Sequence, residues 1–162
     1  MKFQAARYCI RCGSAVQEQI RFARLRPVCP ACGWVHFSDP KVAVEVLVEQ
    51  DDAILLVERL NDPCKGMWSL PGGYMDNDED PARASERECL EETGLEVRVT
   101  RLINVMQDRE YPNGADIVIA YAAQPIGGQL CAGDDAGAAA FFPRSALPPI
   151  AFQVARKVLG LD

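Results

Sequence analysis

The chain has 162 residues, 49% apolar and 25% charged, an ordinary globular composition with room for one well-packed domain and a small appendage, and unlike that of a disordered chain. It has no apolar run of the roughly 18 residues a membrane helix needs, and its start, MKFQAARYCI, is short and polar, so neither a membrane span nor a signal peptide is expected and a soluble cytoplasmic protein is. The formal net charge of −6 is uneven: residues 1–38 hold Lys2, Arg7, Arg11, Arg21, Arg24 and Arg26 against Glu18 alone, so only this segment suits a polyanion such as RNA, and the acidic excess lies beyond it.

Cysteine usage comes first along the chain. An odd count of seven, the lack of a signal pattern and paired C-x-x-C spacings point to reduced thiols and a metal rather than disulfides. Cys9-Ile-Arg-Cys12-Gly13 and Cys29-Pro-Ala-Cys32-Gly33 are two matched knuckles. Four thiolates suit tetrahedral Zn²⁺, and the glycine after each pair permits the tight turn that aims sulfur and backbone at the ion. Sulfur at all four positions describes a closed, structural site: catalytic zinc needs an open position, and a redox centre needs a single C-x-x-C near a βαβ pattern. His36, the only histidine, is expected to hydrogen-bond at the edge of this module rather than to bind metal.

From Lys41 the pattern changes. Val-Ala-Val-Glu-Val-Leu-Val at 42–48 and Ala-Ile-Leu-Leu-Val-Glu-Arg at 53–59, separated by a polar turn, predict a hairpin in a central sheet. Residues 61–66 form a loop, and 67–70 a short strand that runs into Pro71-Gly72-Gly73. Asp80 is then a helix cap, Pro81 suits the first helical position, and Gly94 suits a left-handed close, which frames a helix over 81–93. Glu88, Glu91 and Glu92 share one face of it, with Arg87 four residues before Glu91, while Ala82, Ser85 and Cys89 form a small, weakly polar stripe fit to pack on a sheet. Like charges on one face repel, and a hard divalent cation such as Mg²⁺, which binds carboxylates together with substrate phosphates, compensates them.

Residues 73–95 resemble the Nudix box, Gly-x5-Glu-x7-Arg-Glu-U-x-Glu-Glu-x-Gly-U, with U a bulky aliphatic residue. Gly73, Glu79, Arg87, Glu88, Glu91, Glu92, Gly94 and Leu95 hold the pattern's positions; Cys89 stands at the first U, where it acts as a small hydrophobe. The Trp-Ser-Leu-Pro-Gly-Gly entry to the box is similar to that of Nudix domains, and the cysteine module with its join, Trp34 to Pro40, resembles the zinc ribbon before the catalytic domain of NADH pyrophosphatases and related Nudix proteins. The resemblance implies an α/β Nudix fold, a mixed sheet sandwiched between helices, over residues 39–162, behind a ribbon over 1–38. It implies hydrolysis, dependent on Mg²⁺ or Mn²⁺, of a nucleoside diphosphate linked to another moiety, of the ADP-ribose, FAD or dinucleotide type. The ligands it implies are Glu88 and Glu92, helped by Glu91 and the backbone carbonyl of Gly72 or Gly73. Glu79 serves a further ion or is a favourable charge near the helix N-terminus, and Arg87 orients the glutamates. Which carboxylate is the base stays open. Removal of a dinucleotide-like 5′ cap from RNA, and a non-catalytic nucleotide-binding module, are the competing functions; a homodimer is a possible assembly.

Past the box, the loop 108–114 lies where Nudix enzymes carry residues that discriminate substrates. NADH pyrophosphatases have a Ser-Gln-Pro-Trp-Pro-Phe-Pro array downstream, whereas both tryptophans here, Trp34 and Trp68, precede the box, which argues against NADH as the main substrate. Trp34, Phe37, Tyr74 and Tyr111 are the aromatic candidates for a base platform outside the strands, Tyr111 first and Phe37 second. Residues 116–123 read as a strand, 129–131 as an edge strand and 151–159 as a helix closed by Gly160. In the intervening loop Asp134 or Asp135 serves as a further metal ligand or base, or simply as a solvated turn.

Overall fold

The computed structural model describes residues 6–161. The chain divides into two compact units, Met1–Asp39 and Pro40–Asp162. In the first, β1 (Gln17–Arg21) and β2 (Arg24–Val28) form an antiparallel hairpin. Its turn residues, Phe22 and Ala23, both have positive φ, the geometry of a two-residue hairpin that follows the twist of its strands. The two knuckles use one turn twice: the N–H of Gly13 bonds Cys9 O and that of Gly33 bonds Cys29 O, each glycine at φ above +70°. The backbone N–H of His36 bonds Pro27 O, and its ring lies against Trp34, 5.4 Å between centroids.

In the second unit the strands are β3 (Val42–Gln50), β4 (Ala53–Arg59), β5 (Trp68–Ser69), β6 (Gly72–Tyr74), β7 (Leu95–Gln107), β8 (Ile117–Gly128) and β9 (Ala136–Pro143). The sheet runs β5-β4-β3-β8-β7, with β6 beside β3 and β9 beside β4. It is mixed, since β3 and β8 are parallel and the other pairs antiparallel. The expected hairpin of β3 and β4 is paired only at its tip, Glu49 with Ile54 and Gln50 with Ala53, around an Asp51-Asp52 turn of positive φ. Below the tip β3 turns to β6 and β8, and β4 to β5 and β9, so the two strands separate and open space between them.

Two helices flank the sheet, α1 (Pro81–Thr93) and α2 (Gln153–Leu159). Strand alternation divides the core accordingly. Val46, Val48 and Leu55 pack with Cys89 of α1, whereas Leu47, Ile54 and Leu56 pack with Ala155 and Leu159 of α2. At roughly 25 cal/mol per Å² of apolar area removed from water, these fully covered side chains dominate the unit's stability. Cys89 is completely buried in the first cluster, the small-hydrophobe role its position requires. The segment 129–131 is not a strand. Its N–H groups are spent on the exposed carbonyls at the end of α1, Gln129 N to Gly94 O and Cys131 N to Thr93 O, and so cap that helix instead of extending the sheet. Tyr74 lies in β6 rather than outside the strands, because Ala43 pairs with it.

Candidate functional site

α1 begins and ends as its sequence dictates. The Asp80 carboxylate accepts from the N–H groups of Ala82 and Arg83 at 2.9 and 3.2 Å, Pro81 opens the first turn, and Gly94 closes the helix at φ 67° with its N–H on Leu90 O. That register turns Glu88 and Glu92 inward, 8% and 6% exposed, and leaves Glu91 at the rim. Arg87 gathers the acids around itself: its Nε and Nη2 donate to the two oxygens of Glu79 at 2.8 and 2.9 Å, and its Nη1 to Glu88 and Glu91 at 2.8 and 2.9 Å. A further bond to Tyr74 O ties the group to β6.

β6 supplies the facing wall. Gly72 N–H donates to Glu92 Oε2 at 2.8 Å, and an added Cβ on Gly73 would lie 2.6 Å from the Glu88 carboxyl carbon, so a larger residue there would displace that carboxylate. The turn after 129–131 is pulled in by Gly133 N–H on Glu92 O, which carries Asp134 and Asp135 to the same place. Asp135 accepts from the Asn61 side chain at 3.2 Å. The electrostatics follow from this crowding. Burial, with Asp135 and Glu88 adding like charge, pushes the Glu92 carboxyl up to about 8, and burial raises Glu88 against the pull of Arg87. Glu79 is lowered, because Arg87 hydrogen-bonds its charged form.

These residues open on a cleft of about 890 Å³ whose lining comes wholly from the second unit, within the range of small-molecule sites. Gly72, Gly73, Tyr74, Arg87, Glu88, Glu91, Glu92, Tyr111, Asp134 and Asp135 all line it. Glu79 does not, its oxygens being occupied by Arg87. Phe37 does not either; it belongs to the first unit, where the Arg26 guanidinium covers its ring at 4.4 Å. Tyr111 is fixed by Cys64 Sγ, 3.0 Å from its hydroxyl, and by an edge contact with Phe152. Sequence reasoning missed Glu45, Asp108, Arg59, Asn61 and Phe152, which also line the cleft. Glu45 had a signal, being the one charge inside the apolar run 42–48. Burial, then Asp108, pushes its carboxyl up to about 8.

The donor sets differ in what they fit. Cys9, Cys12, Cys29 and Cys32 bring their sulfurs within 4.8 Å of one another. The closest pairs are 3.5, 3.6 and 3.7 Å, whereas a tetrahedral ion with Zn–S near 2.3 Å spaces its sulfurs by about 3.8 Å and a disulfide needs about 2.0 Å. The four therefore match a metal and not two disulfides. Among the described residues no other group of three or more acidic, histidine or cysteine side chains is close enough to share one ion. The α1 glutamates line the cleft without forming such a group, which fits Mg²⁺ or Mn²⁺ held by one or two carboxylates, a backbone carbonyl and the phosphates of a substrate.

Known proteins agree with this geometry. An ADP-ribose pyrophosphatase of Methanocaldococcus jannaschii is 45% identical over 118 residues, which cover 72% of this chain and 69% of that one. The NAD-capped RNA hydrolase NudC of Pseudomonas aeruginosa is 27% identical over 96% of this chain, which spans only 55% of that longer protein. The crystal structure of a Nudix hydrolase from Nitrosomonas europaea superposes with a TM-score of 0.83 at 28% identity, over 95% of this chain and 88% of its own. With the NUDIX domain model matching residues 39–159, across the whole of the cleft-bearing unit up to α2, the chain belongs to the Nudix family.

Proposed function

We propose that the protein hydrolyses the pyrophosphate bond of a nucleoside diphosphate linked to another group, ADP-ribose foremost, with Mg²⁺ or Mn²⁺ in the cleft and Zn²⁺ as a structural ion in the cysteine module. The observation that carries this reading is the inward pair Glu88 and Glu92, set against Gly72 and Gly73 in a cleft large enough for a dinucleotide-sized ligand. Kinship with the M. jannaschii enzyme supports the choice of ADP-ribose. Glu88, Glu92 and the backbone carbonyl of Gly72 or Gly73 are the assigned ligands of the catalytic cation, with Glu91 and Asp135 at its margin. When bound, the cation neutralises diphosphate charge and makes nearby water more acidic. Arg87 is a positioning residue: anchored on Glu79, it holds Glu88 and Glu91 in place. Tyr74 and Tyr111 are the aromatic contacts for the substrate, and residues 1–38 and 39–162 the two working parts.

A second reading, removal of a dinucleotide-like 5′ cap from RNA, is favoured by one observation: the likeness to NudC runs through the basic cysteine module as well as the box. The same cleft serves both, so one screen separates them. Purified protein is assayed on ADP-ribose, FAD, NADH, diadenosine polyphosphates and NAD-capped RNA, with and without Mg²⁺ or Mn²⁺. The expected result is cation-dependent turnover with ADP-ribose preferred. Preference for capped RNA moves the assignment to the second reading, and no cation-dependent turnover of any of them contradicts both.

A further inference from the structure

Glu45 is a costly residue where it stands. It lies in the middle of β3, flanked by Val44 and Val46, both completely buried, and is itself 8% exposed. Its Oε2 is buried without any hydrogen-bond partner. Leaving a buried polar atom unpaired costs stability, and such groups recur where a ligand supplies the missing bond. Glu45 also lines the cleft, together with Asp108, Ser69, Leu70, Tyr111 and Phe152.

Its position separates it from the phosphate end. Along β3, Val46 and Val48 face the α1 cluster, so Glu45 and Leu47 face the opposite side of the sheet, where α2 packs. Asp108 lines the cleft beside Glu45 and adds to the burial that favours the neutral form of the Glu45 carboxyl, so this pair offers no cation to a phosphate. What that end of the cleft suits is an uncharged group that bears hydrogen-bond donors. Phe152, at the mouth of the same region, holds a positive φ of 61° with the Arg59 guanidinium over its ring, and backbone strain of this kind is retained where a side chain must be presented in one direction.

We propose that Glu45 is a specificity-determining residue of this enzyme: its carboxyl accepts a hydrogen bond from an N–H or O–H of the substrate's nucleoside, and so seats the nucleoside on the α2 side of the sheet while the diphosphate reaches α1. The inference rests on the pyrophosphatase reading above. It does not depend on the charge of Glu45, since a carboxyl in either protonation state keeps an oxygen with free lone pairs. The donor is either the exocyclic amine of the base or a ribose hydroxyl.

Steady-state kinetics of the wild type, Glu45→Gln and Glu45→Leu on ADP-ribose, on its inosine counterpart and on its 2′-deoxy counterpart test it. Glu45→Leu is expected to raise KM for ADP-ribose about tenfold with kcat within about threefold, and Glu45→Gln, which keeps an acceptor oxygen, to raise it less. The analogue that lacks the donor should show the raised KM already in the wild type and no further rise in Glu45→Leu. A raised KM on the inosine analogue identifies the base amine, and on the deoxy analogue the ribose. Removal of the orphaned carboxyl should also raise the melting temperature of ligand-free protein, by about 2–4 °C. An unchanged KM in Glu45→Leu, or an equal rise on all three compounds, overturns the proposal; if that variant does not fold, the same comparison with the smaller Glu45→Ala, which also lacks an acceptor, decides. A wild type that does not hydrolyse ADP-ribose overturns the substrate assignment, and this proposal with it, before any variant is compared.

Discussion

The chemistry of this chain depends on how few residues control many charges. One guanidinium, Arg87, satisfies Glu79, Glu88 and Glu91, and one backbone N–H, that of Gly72, satisfies Glu92. Glu92→Gln keeps the helix, because glutamine is nearly isosteric and a good helix former, but removes the charge assigned to the cation. Turnover is expected to fall at least about a hundredfold at saturating Mg²⁺, the scale seen when a charge or donor that stabilises a transition state is lost; near-normal activity would show that the ligand is misassigned. Tyr111→Ala is expected to raise KM about tenfold, from a stacking contribution of roughly 1–3 kcal/mol, with the Mg²⁺ requirement unchanged. An unchanged KM in titrations of this variant would move the base platform to Phe152. Helical periodicity made the glutamates legible, because residues four apart share a face whatever the helix packs against. Glu45 was visible as a charge among valines, but a strand has two faces, and which one meets a cleft depends on partners distant in the chain.

Elements carry the second level of control. α1 was legible in full, as its cap, its opening proline and its closing glycine are local signals. The separation of β3 from β4 was not, since it follows from β8 and β9 competing for their edges, nor was the role of 129–131 as a cover for the end of α1. β6 presses against α1 so closely that Gly73→Ala is predicted to leave the fold intact while displacing Glu88: a Cβ 2.6 Å from a carboxylate is relieved by moving that flexible side chain. The expected outcome is a melting temperature within about 2 °C of wild type and a loss of at least about tenfold in kcat/KM, as misplacement of a catalytic group alone produces. At Gly94 the reverse holds. Its φ of 67° and a Cβ position 2.5 Å from Gln129 O give Ala neither conformation nor space. Gly94→Ala should therefore lower stability by more than about 1 kcal/mol in denaturant titration.

The whole molecule couples these charges to stability. Among the described residues no helix is long and apolar enough to cross a membrane. Glu45 and Glu92 are both pushed up to about 8 from an ordinary 4.5, so folded protein without added cation holds protons that the unfolded chain releases. The stability this confers is full below about pH 4.5 and is lost as pH rises through about 8. Denaturation midpoints measured without divalent cation should fall across that window, and less steeply in Glu45→Gln; a flat profile would show that both acids are ordinary. The cysteine module was legible from spacing alone, and its sulfur separations predict close to one equivalent of zinc in protein purified without chelator. Less than about half an equivalent would contradict a structural ion. The central claim, a cation-dependent pyrophosphatase built on α1, is tested most directly by product analysis of ADP-ribose incubated with wild type and with Glu92→Gln. The account predicts AMP and ribose 5-phosphate from wild type only when Mg²⁺ or Mn²⁺ is present, and at least about a hundredfold less from the variant; the same products without cation, or equal yields from both proteins, would contradict it.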